Sequence, residues 1–367
     1  MKRRFIISGG GTGGHIFPAL SIANRLKKEF PDAEFLFIGA EGKMEMTKVK
    51  EAGYDIIGLK VYGINRSLSL KSIVENMKLP FVVMKSIKKV KKIMREFKPD
   101  IVIGVGGFAS GPALKAAISL GIKTLIQEQN SFPGITNKLL AKKVNKICVA
   151  YSGLEKYFPE DKIVLTGNPV RDIILDIKNK KKENIQFLDL NNHQKTILVV
   201  GGSLGAKTIN ECLFNGLDEL KKLDVQIIWQ TGELFYKTHR EQLQQQENER
   251  IKIVPFITEM DKAYILADII VSRAGAIAIS ELTIVGKPVI LIPFPYAAED
   301  HQTKNAQALV EQKAAIMIPD SEAKENLLPQ LIDLIFNEDK CRFLAQNISK
   351  MKQENAIDNI IQEIIKL

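Results

Sequence analysis

The sequence predicts an α/β protein made of two Rossmann-like domains, each a parallel sheet with helices on both faces. Two series of short apolar runs alternate with longer helix-like stretches, a pattern typical of buried parallel strands joined by helical crossovers. The two series also begin alike, because residues 2–15 and 194–206 each pass from a basic start through an apolar run into a glycine-rich turn. A chain of 367 residues is long enough for two such domains.

The predicted strands of the first series are residues 5–8, 34–39, 101–106, 124–130 and 146–150. Those of the second series are residues 196–202, 225–232, 252–256, 268–273 and 288–293. Gly167 and Pro169 interrupt regular structure between the series, so we place the domains at residues 1–167 and 168–349.

Two further segments lie outside these strand series. The lysine- and asparagine-rich stretch 178–194 is expected to be a solvated surface loop. One last helix is expected over residues 337–367. It has no core of its own, so we expect its end, residues 350–367, to pack back on the first domain.

The net charge of +10 is confined to the first half of the chain. Residues 1–167 contain 28 basic and 14 acidic residues, whereas the remaining 200 contain 24 and 28. Residues 78–98 alone carry eight basic residues and one acid, interleaved with apolar side chains. Such a basic amphipathic segment suits an anionic membrane surface, although an ordinary surface helix packed on a sheet would have the same pattern. Nucleic acid is disfavoured, because the segment has only two aromatic residues and lies in no recognisable binding module.

Other sequence features limit the class of protein. Cys148, Cys212 and Cys341 are scattered and odd in number, which fits a reducing compartment and neither a disulfide framework nor a zinc site. The apolar run behind the basic start ends at Gly9, so we expect no export signal. No stretch approaches the roughly 18 apolar residues that a membrane-spanning helix needs.

Three glycine-rich turns follow predicted strands, at residues 9–15, 104–112 and 201–206. A strand that passes through glycines into a helix leaves backbone N–H groups that favour a phosphate, and glycine lets the ligand approach closely. Tight strand–helix packing explains any one turn equally well, but three turns in two domains favour a ligand. The residue after Gly14 is His15 and not lysine, which disfavours a P-loop ATPase.

Ligands of open parallel sheets bind at the carboxyl ends of the strands, so we expect the ligand in a cleft between the two domains. In residues 272–282, Gly275 and Ala276 open a helix whose first N–H groups can face a diphosphate. Glu281 has a helical spacing suited to ribose hydroxyls, although a solvated glutamate would look the same.

Seven motifs occur together along residues 10–306, namely GGTGGHIFPAL, GVGGFASGP, EQN, TGNPVR, GGSLGA, SRAGA with SEL, and DHQTKNA. Their order and spacing closely resemble the MurG family, the inverting GT-B transferases of glycosyltransferase family 28 that serve peptidoglycan synthesis. The resemblance implies transfer of N-acetylglucosamine (GlcNAc) from UDP-GlcNAc to the muramoyl 4-hydroxyl of undecaprenyl-pyrophosphoryl-MurNAc-pentapeptide (lipid I), giving lipid II. It implies a peripheral protein at the cytoplasmic face of the cell membrane, which favours the membrane interpretation of residues 78–98. Other cell-wall synthesis proteins are further candidate partners.

The resemblance also implies roles for individual residues of the first domain and of the third glycine turn. Thr12, Gly13 and Gly14 would lie beside the sugar and diphosphate of the donor, and Asn130 would reach the GlcNAc. Arg171 and Ser203 would approach the diphosphate.

In the second domain, the resemblance implies that Ile257 meets uracil through its backbone and that Gln302 fixes sugar hydroxyls. The residues that would cover the phosphate and ribose are Ala276, Ile277, Ala278, Ile279, Ser280 and Glu281. Two positions depart from the family pattern, since Ala278 stands where threonine is frequent and Gln127 where histidine can occur.

The inverting reaction needs a group that accepts the acceptor's hydroxyl proton and groups that stabilise the leaving diphosphate. His15 is the candidate base, because it is the only histidine in a glycine turn and imidazole titrates near neutral pH. A purely positioning role for His15 is equally open. No aspartate-rich metal motif flanks the turns, so we expect no metal and no cofactor. Loop N–H groups, helix N-termini, Arg171 and Ser203 would stabilise the charge.

Three other functions fit part of the pattern. A different UDP-sugar enzyme of the same architecture, such as a glycolipid synthase or a UDP-GlcNAc 2-epimerase, would share the glycine turns. An NAD oxidoreductase would explain the spacing of the glycines in the first turn, but the second strand offers only Glu41 as a ribose-binding acid. A non-catalytic, membrane-bound nucleotide sensor would leave His15 and Arg171 without a role.

Overall fold

The computed structural model describes residues 2–63, 70–297 and 300–367. It divides into two compact units, here called the first domain (Met1–Arg171 with Asn355–Leu367) and the second domain (Asp172–Glu354). Each domain contains one parallel sheet with helical connections. The predicted α/β class with two Rossmann-like domains is therefore confirmed.

The first domain has a seven-stranded sheet in the order β3-β2-β1-β4-β5-β6-β7, and every pair of neighbours is parallel. Its strands are β1 (Arg4–Ser8), β2 (Glu34–Ala40), β3 (Asp55–Leu59), β4 (Ile101–Gly104), β5 (Lys123–Glu128), β6 (Lys146–Val149) and β7 (Ile163–Leu165). Its helices are α1 (Gly13–Glu29), α2 (Glu45–Glu51), α3 (Leu70–Phe97), α4 (Ser110–Ser119), α5 (Ile135–Leu140) and, at the end of the chain, α15 (Ala356–Ile365).

Both faces of the first sheet are buried because its strands are apolar at consecutive positions. Side chains alternate between the two faces of a strand, so Ile6 belongs to one core cluster while Phe5 and Ile7 belong to the other. The Ile6 cluster includes residues of α3 and α4, and the other includes residues of α1 and α15. Continuous apolar strands thus require helices on both sides.

The second domain has a six-stranded parallel sheet in the order β10-β9-β8-β11-β12-β13. Its strands are β8 (Lys195–Val200), β9 (Val225–Gln230), β10 (Ile251–Val254), β11 (Ile269–Ser272), β12 (Val289–Leu291) and β13 (Ile316–Met317). Its helices are α6 (Asp172–Leu175), α7 (Lys207–Leu220), α8 (Glu233–Thr238), α9 (Arg240–Gln246), α10 (Met260–Leu266), α11 (Ala276–Val285), α12 (His301–Glu311), α13 (Ala323–Phe336) and α14 (Glu338–Lys350).

The prediction of one last helix over residues 337–367 is wrong. The segment forms two helices, and α14 belongs to the second domain whereas α15 belongs to the first. Leu344 of α14 packs in the core of the second domain, whereas the isoleucines of α15 are buried in the first. One straight helix cannot supply apolar residues to two separate cores, so the helical structure is interrupted at residues 351–355.

The sequence also missed three short strands, β3, β7 and β13, all at or near sheet edges. The stretch 178–194 is not simply a solvated loop as predicted. Lys180 and Lys182 form ion pairs with Asp261 and Asp268, at 2.9 and 2.6 Å, and Ile185 is buried. These contacts attach the stretch to the second domain.

The basic segment 78–98 lies in α3, and the two halves of that helix differ. Toward the C-terminal end, Val90 and Met94 are buried in the core of the first domain. Toward the N-terminal end, Met77 and Phe81 are each 71% exposed and Met84 is 53% exposed. Their spacing of four and three residues places these three side chains on one face. The surface-helix interpretation therefore describes the C-terminal part of α3, whereas Met77, Phe81 and Met84 form an exposed apolar face.

Among the described residues, no helix combines the length and the apolar character that crossing a bilayer requires.

The burial of α15 predicts that the last helix stabilises the first domain. Ile360 is fully buried, so Ile360→Ala removes packed methyl groups and should lower the free energy of unfolding by about 2–4 kcal/mol. Urea unfolding measures this loss. Ile135→Ala is the matched control, because Ile135 is about half exposed in the same domain and its truncation should change stability little. Equal stabilities for the two variants would contradict the packing described above.

Candidate functional site

Each sheet has a point at which its strand order reverses. In the first sheet this point lies between β1 and β4, and in the second between β8 and β11. The loops that leave the carboxyl ends of these strands flank the position where open parallel sheets bind ligands. The residues singled out by the sequence fall into two groups, one at this edge of each sheet.

In the first domain, Thr12 is the N-cap of α1 in extended conformation, and its side chain does not cap the helix. Its hydroxyl oxygen lies 3.3 Å from Nδ1 of the half-buried His15. The first turn of α1 carries no acidic residue, so nothing in that turn neutralises the positive end of the helix at Gly13 and Gly14.

The second glycine turn packs directly on the first. A Cβ atom on Gly107, which has a φ of +83°, would lie 2.2 Å from the carbonyl oxygen of Gly10. A Cβ atom on Gly106 would lie 2.8 Å from Nε2 of His15. The backbone of Gly10 therefore explains Gly107, and the imidazole that packs against Gly106 explains Gly106.

Asn130 is positioned by Glu128, a buried residue at the end of β5 that the sequence analysis did not single out. One carboxylate oxygen of Glu128 accepts hydrogen bonds from the backbone N–H and the side-chain amide of Asn130, at 3.1 and 3.3 Å. The other accepts from the backbone N–H of Gly134 and the amide of Asn137, at 3.0 and 2.8 Å. Burial raises the pKa of the Glu128 carboxyl, whereas these hydrogen bonds lower it.

Gln127 lies in a buried network of amides rather than on a ligand-facing surface. Its side-chain nitrogen donates to Asn168 at 3.0 Å, and the Asn168 side chain donates to the backbone of Gln129 at 3.0 Å. This network attaches the segment before Arg171 to the end of β5. The guanidinium carbon of Arg171 lies 5.5 Å from the centroid of the Phe17 ring on α1, so Arg171 lies near the helix that carries His15.

In the second domain, Gly275 is the N-cap of α11, and the first turn of this helix has neither an acidic residue nor a side-chain cap. The φ of Gly275 is −66°, which any residue can adopt. A Cβ atom there would meet no heavy atom of the described residues within 4 Å. Neither backbone conformation nor packing requires this glycine, so close approach of a ligand would explain its presence.

Glu281 is buried and accepts a hydrogen bond from the Tyr264 hydroxyl at 3.3 Å, so the view of Glu281 as a solvated residue is wrong. Ala276 is buried, and Ile277 and Ala278 are half-buried.

Two further residues of α11 are engaged within the helix. The buried Ile279 donates its N–H to the Gly275 carbonyl at 2.9 Å. Ser280 donates its hydroxyl to the Ala276 carbonyl at 3.0 Å. The Ile279 N–H and the Ser280 hydroxyl are therefore engaged in hydrogen bonds within α11.

Gln230, which the sequence analysis missed, links Ile257 to the third glycine turn. The amide of Ile257 donates to the side-chain oxygen of Gln230 at 3.0 Å, and the Gln230 nitrogen donates to the Gly202 carbonyl at 2.9 Å. Ser203 follows in this turn and is half-buried. A buried glutamine at the end of an apolar strand was the sequence signal for this contact.

Gln302 and Arg273 both hold the loop after β12. The side-chain oxygen of Gln302 accepts a hydrogen bond from the Phe294 amide at 3.0 Å. Arg273 donates to the carbonyls of Ile292 and Pro293, at 3.1 and 3.0 Å, and pairs with Asp320. Arg273 was not predicted as a site residue, although an arginine directly after a buried strand was visible in the sequence.

Within the described ranges, no group of three or more His, Cys, Asp or Glu residues is arranged to hold a metal ion. Burial raises the pKa of the Cys148 thiol to about 12, so this cysteine is not a nucleophile near neutral pH.

Comparison with known proteins agrees with the motif pattern. Residues 5–149 match the glycosyltransferase family 28 N-terminal domain, and residues 196–364 match the C-terminal domain of that family. The UDP-N-acetylglucosamine–N-acetylmuramyl-(pentapeptide) pyrophosphoryl-undecaprenol N-acetylglucosamine transferase of Parabacteroides distasonis is 53% identical, with 100% of this chain and 98% of that protein covered.

Solved structures support the same assignment. The crystal structure of Acinetobacter baumannii MurG superimposes with a TM-score of 0.75 at 30% identity, covering both chains completely. A UDP-N-acetylglucosamine 2-epimerase superimposes with a TM-score of 0.68 at 14% identity, covering 100% of this chain and 96% of the other, and this likeness shows the fold alone. The chain therefore belongs to glycosyltransferase family 28, in the family of UDP-N-acetylglucosamine–N-acetylmuramyl-(pentapeptide) pyrophosphoryl-undecaprenol N-acetylglucosamine transferases.

Proposed function

We propose that this protein is an inverting glycosyltransferase that moves GlcNAc from UDP-GlcNAc to the muramoyl 4-hydroxyl of lipid I and so forms lipid II. The observation that carries the proposal is the 53% identity, over the full length of both chains, to a transferase of that name. The rival function of a UDP-GlcNAc 2-epimerase rests on a likeness at 14% identity, which supports no more than a shared fold.

The donor nucleotide binds at the carboxyl edge of the second sheet. The N-terminus of α11 at Gly275 faces the diphosphate with its first N–H groups, because neither an acid nor a side-chain cap occupies that helix end. Glu281, held by Tyr264, accepts hydrogen bonds from the ribose hydroxyls. The amide of Ile257 is engaged by Gln230, so its carbonyl oxygen is the group that recognises a uracil N–H.

The acceptor hydroxyl reacts beside the first glycine turn. In the tautomer whose Nδ1–H donates to the Thr12 hydroxyl oxygen 3.3 Å away, Nε2 has the lone pair that takes the proton as the hydroxyl attacks the anomeric carbon. Attack occurs on the face opposite to the departing UDP and inverts the configuration. Asn130, fixed by Glu128, contacts the GlcNAc, and Gln302 contacts its hydroxyls.

The negative charge that builds on the leaving diphosphate is stabilised by the α11 N-terminus, Arg171 and Ser203. Each such donor contributes roughly 2–4 kcal/mol to transition-state stabilisation, as for the loss of one oxyanion-hole donor. We propose that these groups suffice and that no divalent metal ion is required.

The protein meets its lipid-linked acceptor through the exposed face of α3. Met77, Phe81 and Met84 share this face with the exposed cations Lys85 and Lys88. Apolar groups that enter the interface and ammonium groups that meet lipid phosphates together favour an anionic bilayer.

The helix α5 of the same domain has a second pair of exposed apolar side chains, Ile135 and Leu139. We propose that the first domain binds the cytoplasmic leaflet of the cell membrane peripherally.

The direct test supplies labelled UDP-GlcNAc and a lipid I analogue to the purified protein. We expect a β-linked disaccharide product, formed at the same rate in excess EDTA, because protein groups stabilise the leaving diphosphate. UDP-GlcNAc without acceptor is the control, and its conversion to a 2-epimer would favour the rival function. Absence of the disaccharide would refute the transferase, whereas loss of product in EDTA alone would refute metal independence.

The N-terminus of α11 can be tested with Gly275→Ala. The added methyl group occupies the approach of the diphosphate, so we expect the Kd for UDP to rise about tenfold, equivalent to about 1.4 kcal/mol. Isothermal titration calorimetry measures the affinity.

Gly134→Ala is a matched control for this variant. Gly134 is also a helix N-cap, with φ −61° and ψ 148°, and it likewise has no heavy atom of the described residues within 4 Å of its Cβ position. None of the proposed UDP contacts involves Gly134, so its substitution should leave UDP affinity unchanged. Equal affinities of the two variants for UDP would argue against a diphosphate at α11.

The membrane surface can be tested with Phe81→Glu. This change removes an apolar group from the exposed face of α3 and adds a repelling charge, so binding to vesicles of equal parts phosphatidylcholine and phosphatidylglycerol should weaken about tenfold. Phe336→Glu is the matched control, because Phe336 is 70% exposed in the second domain. Sedimentation of the vesicles measures binding, and an equal loss in both variants would speak against a specific surface on α3.

A further inference from the structure

A buried carboxylate lies behind the first glycine turn, and no step proposed above uses it. Glu45 is the first residue of α2, and it is only 1% exposed. No Lys, Arg or His of the part of the chain that the structure describes forms an ion pair with it. Burial of an unpaired carboxylate is costly unless its oxygens accept hydrogen bonds, so its position needs a specific reason.

The two oxygens of Glu45 bind two different segments of the first domain. Oε1 accepts a hydrogen bond from the backbone N–H of Ala40, at the end of β2, at 3.0 Å. Oε2 accepts one from the backbone N–H of Gly11, in the first glycine turn, at 2.9 Å. The carboxylate thereby bridges the turn to the neighbouring strand through charge-assisted hydrogen bonds, which are stronger than neutral ones.

The surroundings leave space for this side chain and little else. A Cβ atom on Gly10 would lie 2.1 Å from Oε1 of Glu45, and one on Gly39 would lie 2.6 Å from its Cγ atom. Both glycines are therefore required by the presence of Glu45. The Glu45 side chain therefore packs closely against both Gly10 and Gly39.

The contact fixes the residues that carry out the reaction. Gly11 directly precedes Thr12, the N-cap of α1, and His15 lies in the first turn of that helix. On the other side of the turn, the backbone of Gly107 packs on Gly10, and Gly106 contacts the imidazole. The first glycine turn is thus held between a carboxylate and a second loop.

The same contact limits what the turn can bind. The amide of Gly11 donates to Glu45, so it is not offered to a phosphate. The other polar groups of the turn include the Thr12 hydroxyl and the His15 imidazole. Because they lie near the negative charge of Glu45, they suit a neutral sugar hydroxyl.

We propose that Glu45 is a positioning residue for the transfer reaction, which acts by holding the first glycine turn so that His15 meets the acceptor hydroxyl. The proposal rests on the proposed function. It assigns to Glu45 no contact with either substrate.

The main test is Glu45→Gln, which keeps the shape of the side chain but sets an NH₂ group against one of the two backbone N–H donors. The turn must then shift, and we expect kcat to fall about 10- to 100-fold, as for small misplacements of catalytic groups. The affinity for UDP should stay within error, whereas the thermal unfolding temperature should fall modestly, because one buried N–H loses its acceptor. Glu51→Gln is the matched control, because Glu51 lies on the same helix with an exposed side chain paired to Lys48, and it should behave as the unaltered enzyme.

A double-mutant cycle separates positioning of His15 from a general structural role. If Glu45 acts through His15, Glu45→Gln should change kcat less than about twofold in a His15→Ala background. A full effect in that background, or an unchanged kcat in the single variant, would overturn the proposal. If Glu45→Gln does not fold, Glu45→Asp is judged by the same criteria, because it keeps the charge but is too short to reach both amides.

A spectroscopic measurement keeps this proposal separate from the proposed function. The chain has four histidines, so the ring resonance of His15 can be assigned by its loss in His15→Ala. Glu45→Gln should shift this resonance and Glu51→Gln should not, whether or not the protein transfers GlcNAc. An unmoved His15 resonance would refute the positioning role even in an active enzyme, whereas a moved resonance in an inactive protein would refute only the function.

Discussion

The structure depends on the close approach of loop backbones at the carboxyl edge of each sheet. In the first domain the Gly107 backbone lies against Gly10, and in the second a Cβ atom on Gly205 would lie 2.0 Å from the Thr231 carbonyl oxygen. Side chains cannot fit between loops at such distances. Because the loops pack directly, the helices that follow them begin at fixed positions above the strands.

This constraint changes the meaning of the glycine turns. Many of their glycines are required by the protein itself, through contact with another loop or with Glu45. Gly275 differs, since it has an ordinary φ and no described neighbour near its Cβ position. The glycine turns of both domains are therefore packed against other backbone, whereas the N-terminus of α11 at Gly275 has no side-chain cap.

Polar side chains buried beneath the loops fix the positions of these loops. Glu128 and Gln230 bind backbone groups of segments that carry candidate site residues, and Arg273 binds the loop that Gln302 contacts. A buried polar group that is fully hydrogen-bonded favours one arrangement of its neighbours, because any shift leaves a donor or acceptor unpaired. These side chains therefore hold the loops at the sheet edges in one position.

Buried strands, turn glycines and motif spacing are local patterns, so they were enough to predict the two-domain α/β architecture, the glycine turns and the family. The same patterns and the family resemblance predicted His15, Arg171 and Glu281 as site residues. Long-range packing was needed to show that the C-terminal segment splits between two cores and that Met77, Phe81 and Met84 of α3 are exposed. It alone showed that Glu45, Tyr264 and Gln230 hold the site residues. These features depend on contacts between residues far apart in the chain, such as Gly11 with Glu45, and no local pattern records which distant residue will lie beside a given loop.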